Sequence, residues 1–551
     1  MKKRVLAMLL AAMMAAAMAS GCSSNEGSST GSTGSGSGTS TAEGDGSYFT
    51  MDPAGYPVMN EPTTVSILAF GTTPEGAGAW ETPNEIPFFQ TQAERTGISF
   101  EWQYMTDTAW DERVPILIAG DDMPDVFLKT RFSDAELVKN GQDGMILDLT
   151  PYLEEYAPDF YSYATERDLL QYLTMSGGIW GLPYLYDSEG IRLAKIFFNV
   201  DWLENVGMEM PTNWDEIYDV LIAFRDQDAN GNGDATDEIP FGASDVYDMF
   251  AMMSGEFGLM NRGMSMGYSL FLDADPADST GNTLRFWPAD DAMKDMLQMA
   301  KTYYSEGFLP STFFDADYGT LYNTNISQNI YGCHDLWATC TGEYVDSYIA
   351  MDNSPSELWT AITGFIGTKG GLVITKECEI PEAMVAWGNY LYTTQGAYDY
   401  FLGVEGESYI FDEEGHTQQT DQILNNPDGL TPEQAMLRYS IYSGGANPGL
   451  CTDETFKGGE TYWTSLEGNE KFNPSIPDVV WEKIPLDSTQ TEQINNVYGD
   501  IQSVFEEYTA YFITGQKDIE ADWQEYLDRL NAAGIESYVE AYQAAYDALN
   551  A

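Results

Sequence analysis

Hydrophobic positions along this chain alternate between a strand period and a helix period. Thr64 to Phe70 is a β-branched and aromatic run ended by Gly71. Pro83 to Thr96 reads as a helix with Phe88, Phe89 and Ala93 inward and Gly97 as its stop. Ile98 to Gln103 is a second strand, Asp107 to Ala119 a helix stopped by Gly120, and Met123 to Phe127 opens a third strand. A strand from Arg192 to Asn199 and a helix from Asn213 to Phe224 extend the series. Such alternation predicts an α/β fold with a parallel sheet. The end of the chain is helical. Trp523, Leu527 and Leu530 recur at helical spacing, Gly534 breaks the run, and Tyr538, Val539, Tyr542, Tyr546 and Leu549 line a further stripe. Both stripes are expected to face a core.

The start of the chain is different. Lys2-Lys3-Arg4 precede an apolar run from Val5 to Ala19, closed by Ala19-Ser20-Gly21-Cys22. An apolar stretch of this length before small residues is a targeting segment and not a span. It resembles a bacterial lipoprotein signal, which makes residues 1–21 the signal and Cys22 the lipid attachment site. Residues 22–50 are rich in Ser, Gly and Thr, a composition that stays flexible as a tether. No later window has the roughly 20 apolar residues of a membrane span. The remaining body of about 500 residues implies at least two domains. A formal net charge of −63 excludes nucleic acid as a partner, whose phosphates need a Lys/Arg surface. It also disfavours tight contact with anionic headgroups. Of the five cysteines, Cys333, Cys340, Cys378 and Cys451 remain after Cys22. An exported chain permits disulfides among them in three full pairings, and buried free thiols fit equally. A zinc site is not expected with only His334 and His416.

Several short segments, in order, carry a family resemblance. They are 119–126 (Ala-Gly-Asp-Asp-Met-Pro-Asp-Val), 180–184 (Trp-Gly-Leu-Pro-Tyr), 198–203 (Phe-Asn-Val-Asp-Trp-Leu) and Gly207 with 211–216 (Pro-Thr-Asn-Trp-Asp-Glu). Later come Pro381-Glu382-Ala383 through Trp387, Gly403-Val404-Glu405-Gly406 and 512–518. After a lipoprotein signal, this order resembles the extracellular solute-binding proteins of ABC importers, in the group that binds alginate and other oligosaccharides. The resemblance implies two α/β lobes joined by hinge strands, with ligand held in the cleft between them and a helical C-terminus. The lobes are expected at 51–186 plus 370–430 and at 187–369 plus 431–551. The crossings are placed near Tyr184 to Ser188, near Gly367 to Leu372 and after the 425–429 turn, beside Gly or Pro that suit a hinge. The implied function is a monomeric, non-enzymatic receptor on the extracytoplasmic face of a bacterial membrane. It would hand a carbohydrate to permease subunits.

The sharpest local motif is the loop 226–238, Asp-Gln-Asp-Ala-Asn-Gly-Asn-Gly-Asp-Ala-Thr-Asp-Glu. Oxygen side chains alternate at Asp228, Asn230, Asn232 and Asp234, with Gly233 at the sixth place. Calcium takes six to eight hard oxygens, and alternate residues of a tight loop can all face it. The EF-hand terminal Glu position is Ile239 here, so Asp237 and Glu238 are the candidate closing ligands. A structural Ca2+ is the expected cofactor; a solvated turn is the alternative.

Sugars present apolar faces for aromatic planes and hydroxyls for polar side chains. Candidates on loops at strand ends, where open α/β sheets bind ligand, are Trp80, Phe127, Arg131, Tyr184, Tyr186, Trp337 and Trp359. Asp245 and Tyr247 follow the calcium loop. Core packing is the competing reading for each. Gly263-Met264-Ser265-Met266-Gly267 matches the nucleophile-elbow pattern, but no clean strand precedes it as that motif requires. The rival functions are a peptide or other small-solute receptor, which would present strand edges to its ligand, a surface glycosidase with paired carboxylates, and a surface adhesin.

Overall fold

The computed structural model describes residues 48–71, 82–105, 107–120, 122–187, 194–243, 245–263, 271–314, 329–334, 347–413, 415–430, 432–441, 446–456 and 468–551. Cys22, Trp80, Trp337, Cys340 and residues 264–267 of the elbow-like pattern lie outside them. Tyr48–Ala551 is one compact unit. Residues 48–50, expected to lie in the tether, belong to the folded body: Phe49 is buried, and Phe49–Met51 pairs with Pro57–Met59.

Ten strands build the two main sheets: β1 (Thr63–Phe70), β2 (Ile98–Met105), β3 (Val126–Leu128), β4 (Leu182–Asp187), β5 (Phe197–Asn199), β6 (Ile239–Gly242), β7 (Tyr331–His334), β8 (Tyr348–Ala350), β9 (Ile366–Ile374) and β10 (Gly449–Thr452). The larger sheet has six strands in the order β10-β4-β9-β3-β1-β2. β1 runs parallel to both β2 and β3, and β10 runs parallel to β4; β9 alone is antiparallel to its neighbours β3 and β4. The smaller sheet has four strands in the order β8-β5-β7-β6, with β5 reversed and β7 parallel to β6.

Local sequence explains many element ends. The helix Pro87–Thr96 stops at Gly97, whose φ of 75° is left-handed. The expected single helix from Pro83 is split, because Pro83–Glu85 forms a 3-10 turn and Pro87, which lacks a backbone N–H, starts the α-helix proper. The helix Trp214–Asp226 is capped by the Asn213 side chain, which accepts from the Glu216 N–H. The strand expected from Arg192 is shorter, Phe197–Asn199.

Each sheet has its own core. Around the larger one, Ile67, Phe88, Phe89, Phe100, Tyr184, Trp387 and Tyr400 pack together. Around the smaller one, Trp202, Phe224, Phe271, Trp287 and Tyr303 pack against the C-terminal helices Tyr498–Ile513, Ile519–Ala533 and Ile535–Leu549 through Phe505, Tyr508, Phe512, Trp523, Tyr526 and Tyr538. The break at Gly534 is real, with a left-handed φ of 106°.

One expected boundary is corrected. The chain does not leave the larger sheet at the 425–429 turn: β10 (Gly449–Thr452) pairs with β4, and Ile441 and Cys451 sit in the larger sheet's core. The chain returns to the smaller body after β10, where Phe472, Trp481 and Ile484 join that core. Cys333, Cys378 and Cys451 are buried.

Candidate functional site

Strand direction locates the candidate ligand-binding edges. β4 ends at Asp187 on the carboxyl edge of the larger sheet, and the chain next enters the smaller sheet at Phe197, opposite His334 at the carboxyl end of β7. The return runs from Ala350, also opposite Phe197, to Ile366, opposite Leu185 near the end of β4. Both crossings therefore join carboxyl edge to carboxyl edge. Open α/β sheets hold ligand on this edge. The crossings are tied to each other: the Ala194 N–H donates to the Ala361 carbonyl at 2.9 Å, and the Tyr186 N–H to the Phe365 carbonyl at 2.7 Å.

On the larger sheet's edge, β3 leads into Lys129, Thr130 and Arg131. Lys129 adopts a left-handed φ of 52°, and its N–H donates to the Gly371 carbonyl. The Thr130 hydroxyl donates to the Gly370 carbonyl at 2.5 Å. Glycine suits position 371, where a Cβ would lie 2.7 Å from the backbone of Pro448. Arg131 is the accessible member. Its guanidinium lies 5.1 Å from the Phe70 ring centre, and its Nε is 3.5 Å from Asp111. At the end of β4, Asp187 pairs with Arg167 at 2.9 Å.

The smaller sheet's edge carries His334, Lys195 and Lys471. His334 is buried beside Tyr348, with ring centres 4.5 Å apart, and burial pushes its pKa down to about 3. Lys195 donates to the Asn469 amide oxygen at 2.5 Å, and Lys471 pairs with Asp352 at 3.0 Å.

The candidates read from the sequence divide sharply. Arg131 lies on the edge with its head accessible. Phe127 and Tyr184 are wholly buried, Phe127 against Trp110 and Phe132 and Tyr184 against Tyr186 and Phe401, so these rings serve the core. Tyr186 packs over Gly367, where a Cβ would lie 2.3 Å from its ring. Asp245 is a helix cap, accepting from the Tyr247 and Asp248 N–H groups. Tyr247 stacks on Phe505 and donates to Glu506 at 3.0 Å. Trp359 donates to the Leu259 carbonyl at 2.9 Å and is half-buried. Sequence reading missed Lys195, His334 and Asp187. The available signal was their position: each ends or precedes a short apolar strand.

The acidic loop leads directly into β6, at the amino edge of the smaller sheet. Its side chains fold inward. The Gly233 N–H donates to Asp228 Oδ2 at 3.0 Å, and the N–H groups of Asn232 and Asp234 donate to the Asn230 and Asn232 side-chain oxygens. Asp237 accepts from the amides of Asn230 and Asn232 at 3.2 and 2.8 Å. Two buried carboxylate oxygens, Asp228 Oδ1 and Glu238 Oε2, have no hydrogen-bond partner. Burial and the neighbouring Asp237 raise the Glu238 pKa. Among the described residues, no three His, Cys, Asp or Glu side chains converge as a closed metal set. The donor chemistry nonetheless fits a hard cation. The Asn230 and Asn232 oxygens each keep a second lone pair, and the two orphaned carboxylate oxygens lack a positive partner.

Comparison with known proteins places this geometry. The domain of unknown function DUF3502 matches residues 488–551, the C-terminal helices. The fructooligosaccharide ABC transporter substrate-binding protein FusA of Streptococcus pneumoniae is 23% identical over 496 residues, covering 84% of this chain and 87% of FusA. The structure of FusA in complex with kestose superposes with a TM-score of 0.69 at 20% identity, covering 89% of this chain and 99% of that one; an EF-hand mutant of FusA gives 0.68. The alginate-binding protein AlgQ2, solved without calcium ion, gives a TM-score of 0.66 at 18% identity, covering 90% of this chain and 99% of AlgQ2.

Proposed function

We propose, from a chain that belongs to the extracellular solute-binding proteins of ABC importers, that this protein captures an oligosaccharide between its two sheet edges and presents it to a permease. The observation that carries this reading is the pair of carboxyl edges joined by crossings, in a chain similar to FusA over most of its length. FusA is a substrate-binding protein of an ABC transporter, and the receptor reading follows that similarity. Ligand bridging both lobes favours the closed arrangement by its extra contacts there. Arg131, beside the Phe70 ring, is the first residue we assign to the ligand, because a guanidinium and an aromatic face together suit a hydroxyl-rimmed ring. The protein acts at the extracytoplasmic face, and we assign Cys22 as its lipid anchor and the monomer as its working form.

We further assign Ca2+ to the acidic loop, held by Asp228, Asn230, Asn232, Asp234, Asp237 and Glu238. When bound, the ion neutralises packed carboxylates and pins the entry to β6. Its position at the amino edge makes this role structural.

Thermal shift of the body from Tyr48 onward tests both readings. Kestose, nystose, alginate oligosaccharides and di- to octapeptides would be compared, each with calcium or chelator. A rise in Tm with one sugar series and no loss of that sugar is the expected result. Stabilisation by peptides alone would overturn the sugar reading, and consumption of the sugar would overturn the receptor reading.

A further inference from the structure

The segment of the smaller body that precedes its C-terminal helices has two faces. In the tetrapeptide Trp481-Glu482-Lys483-Ile484, Trp481 and Ile484 are buried in the core of the smaller body. The two residues between them turn to the larger one. Glu482 is buried, and its carboxylate accepts the N–H of Phe365 at 2.6 Å and of Ile366 at 3.0 Å, at the start of β9. Glycine at 364 allows this approach, since a Cβ there would lie 2.4 Å from Glu482 Oε2. Lys483 reaches Asp134 at 3.2 Å, and Asp134 also holds Lys369 of β9 at 3.0 Å. Asp134 opens the helix Asp134–Gln142, whose Leu137 and Val138 pack beneath the larger sheet.

The second crossing changes sides at the same place. Ile362 belongs to the smaller body's core and Ile366 to the larger one's. The second crossing thus changes bodies within a few residues of the Glu482 carboxylate. A charged acceptor on two successive amides is among the strong hydrogen-bonded arrangements. A buried ammonium such as Lys369 requires its carboxylate partner.

We propose that Glu482 and Asp134 form a latch that fastens this segment of the smaller body to the second crossing and to β9, and fixes the pivot about which the lobes close. Neither side chain needs to touch ligand; they are positioning residues for closure. This inference rests on the two-lobed receptor reading. It also gives the segment before the C-terminal helices a task, because the latch adds a charged tie between that part of the smaller body and the larger sheet.

The test is the interlobe distance distribution from spin labels on the full chain. Labels would be placed at Glu94→Cys and Asp219→Cys, both exposed, in a Cys22→Ser, Cys340→Ser background; the described native thiols are buried. The latch predicts a narrow distribution that broadens about twofold in Glu482→Gln and Asp134→Asn, as a pivot with more accessible angles requires. The isosteric variants are chosen to keep the fold, checked by circular dichroism, and Glu482→Ala gives the larger disruption. An unchanged width in all three folded variants overturns the latch, even if kestose or another sugar still narrows the distribution. Broadening in the variants without a response to any sugar keeps the latch and counts against the receptor reading.

Discussion

The two bodies of this protein reach stability by different routes. The larger sheet is held by its own ladders: β1 and β2 pair over their full lengths from Thr63 and Ile98 to Phe70 and Met105, and helices adjacent in sequence cover the faces. The smaller sheet has strands of three or four residues. Short strands bury little surface, so this body borrows its core from the far end of the chain, where Phe505 packs on Phe250, Phe271 and Trp287. In the larger body the β1–β2–β3 ladder can form as its sequence emerges, whereas β9 and β10 join it later. The smaller body, completed by distant helices, waits for loop closure across hundreds of residues.

The largest effect should come from the borrowed core. Phe505→Ala is expected to cost about 3–5 kcal/mol and, in calorimetry, to lower one of two transitions. Ile67→Ala, costing about 2–5 kcal/mol, should lower the other. Equal shifts of a single transition by both variants would break the comparison, because it would mean that the bodies unfold as one unit.

Calcium should act on the smaller body alone. At a free concentration about 100-fold above Kd, the ion would add about 2.7 kcal/mol. Chelation should lower the Tm of the transition that Phe505→Ala affects, and Asp228→Ala should abolish that response. Identical melting curves for both proteins, with and without chelator, would remove the ion from the loop.

His334 gives the smaller body an acid sensitivity. Its pKa falls from 6.5 to about 3 on folding, through burial. A lowered pKa contributes stability that is complete above 6.5 and is lost as the pH falls towards 3. The loss is about 2 kcal/mol at pH 5. The difference in stability between wild type and His334→Phe, followed from pH 8 to pH 4, should show this slope; a flat difference would sink it.

The smallest effect sharpens the boundary between helices. Gly534→Ala places a Cβ at a φ of 106° and 2.7 Å from Val497. It should cost about 1–3 kcal/mol and lower only the smaller body's transition in a thermal melt.

Elements with dense local signals were legible. The Thr64–Phe70 run, the stop at Gly97, the cap at Asn213 and the break at Gly534 all follow from side-chain period and backbone chemistry within a few residues. Candidate site residues were much less so. Phe127 and Asp245 have the composition of ligand contacts, yet one fills a core beside Trp110 and the other caps a helix. Residue type does not encode direction at a strand end.

By itself the sequence determined the alternation of strands and helices, the helical C-terminus, the acidic loop and the family resemblance, since each rests on local period or on residue order. Only the tertiary structure decided where the chain changes bodies, which edges the crossings join and which charges pair. The membership of Gly449–Thr452 in the larger sheet depends on a partner strand more than 250 residues earlier in the chain. The turn of Glu482 toward Phe365 and Ile366, between neighbours facing the other way, likewise follows from packing against distant segments. Contacts of that kind leave no period in the chain, because their energy is realised only when remote residues are brought together.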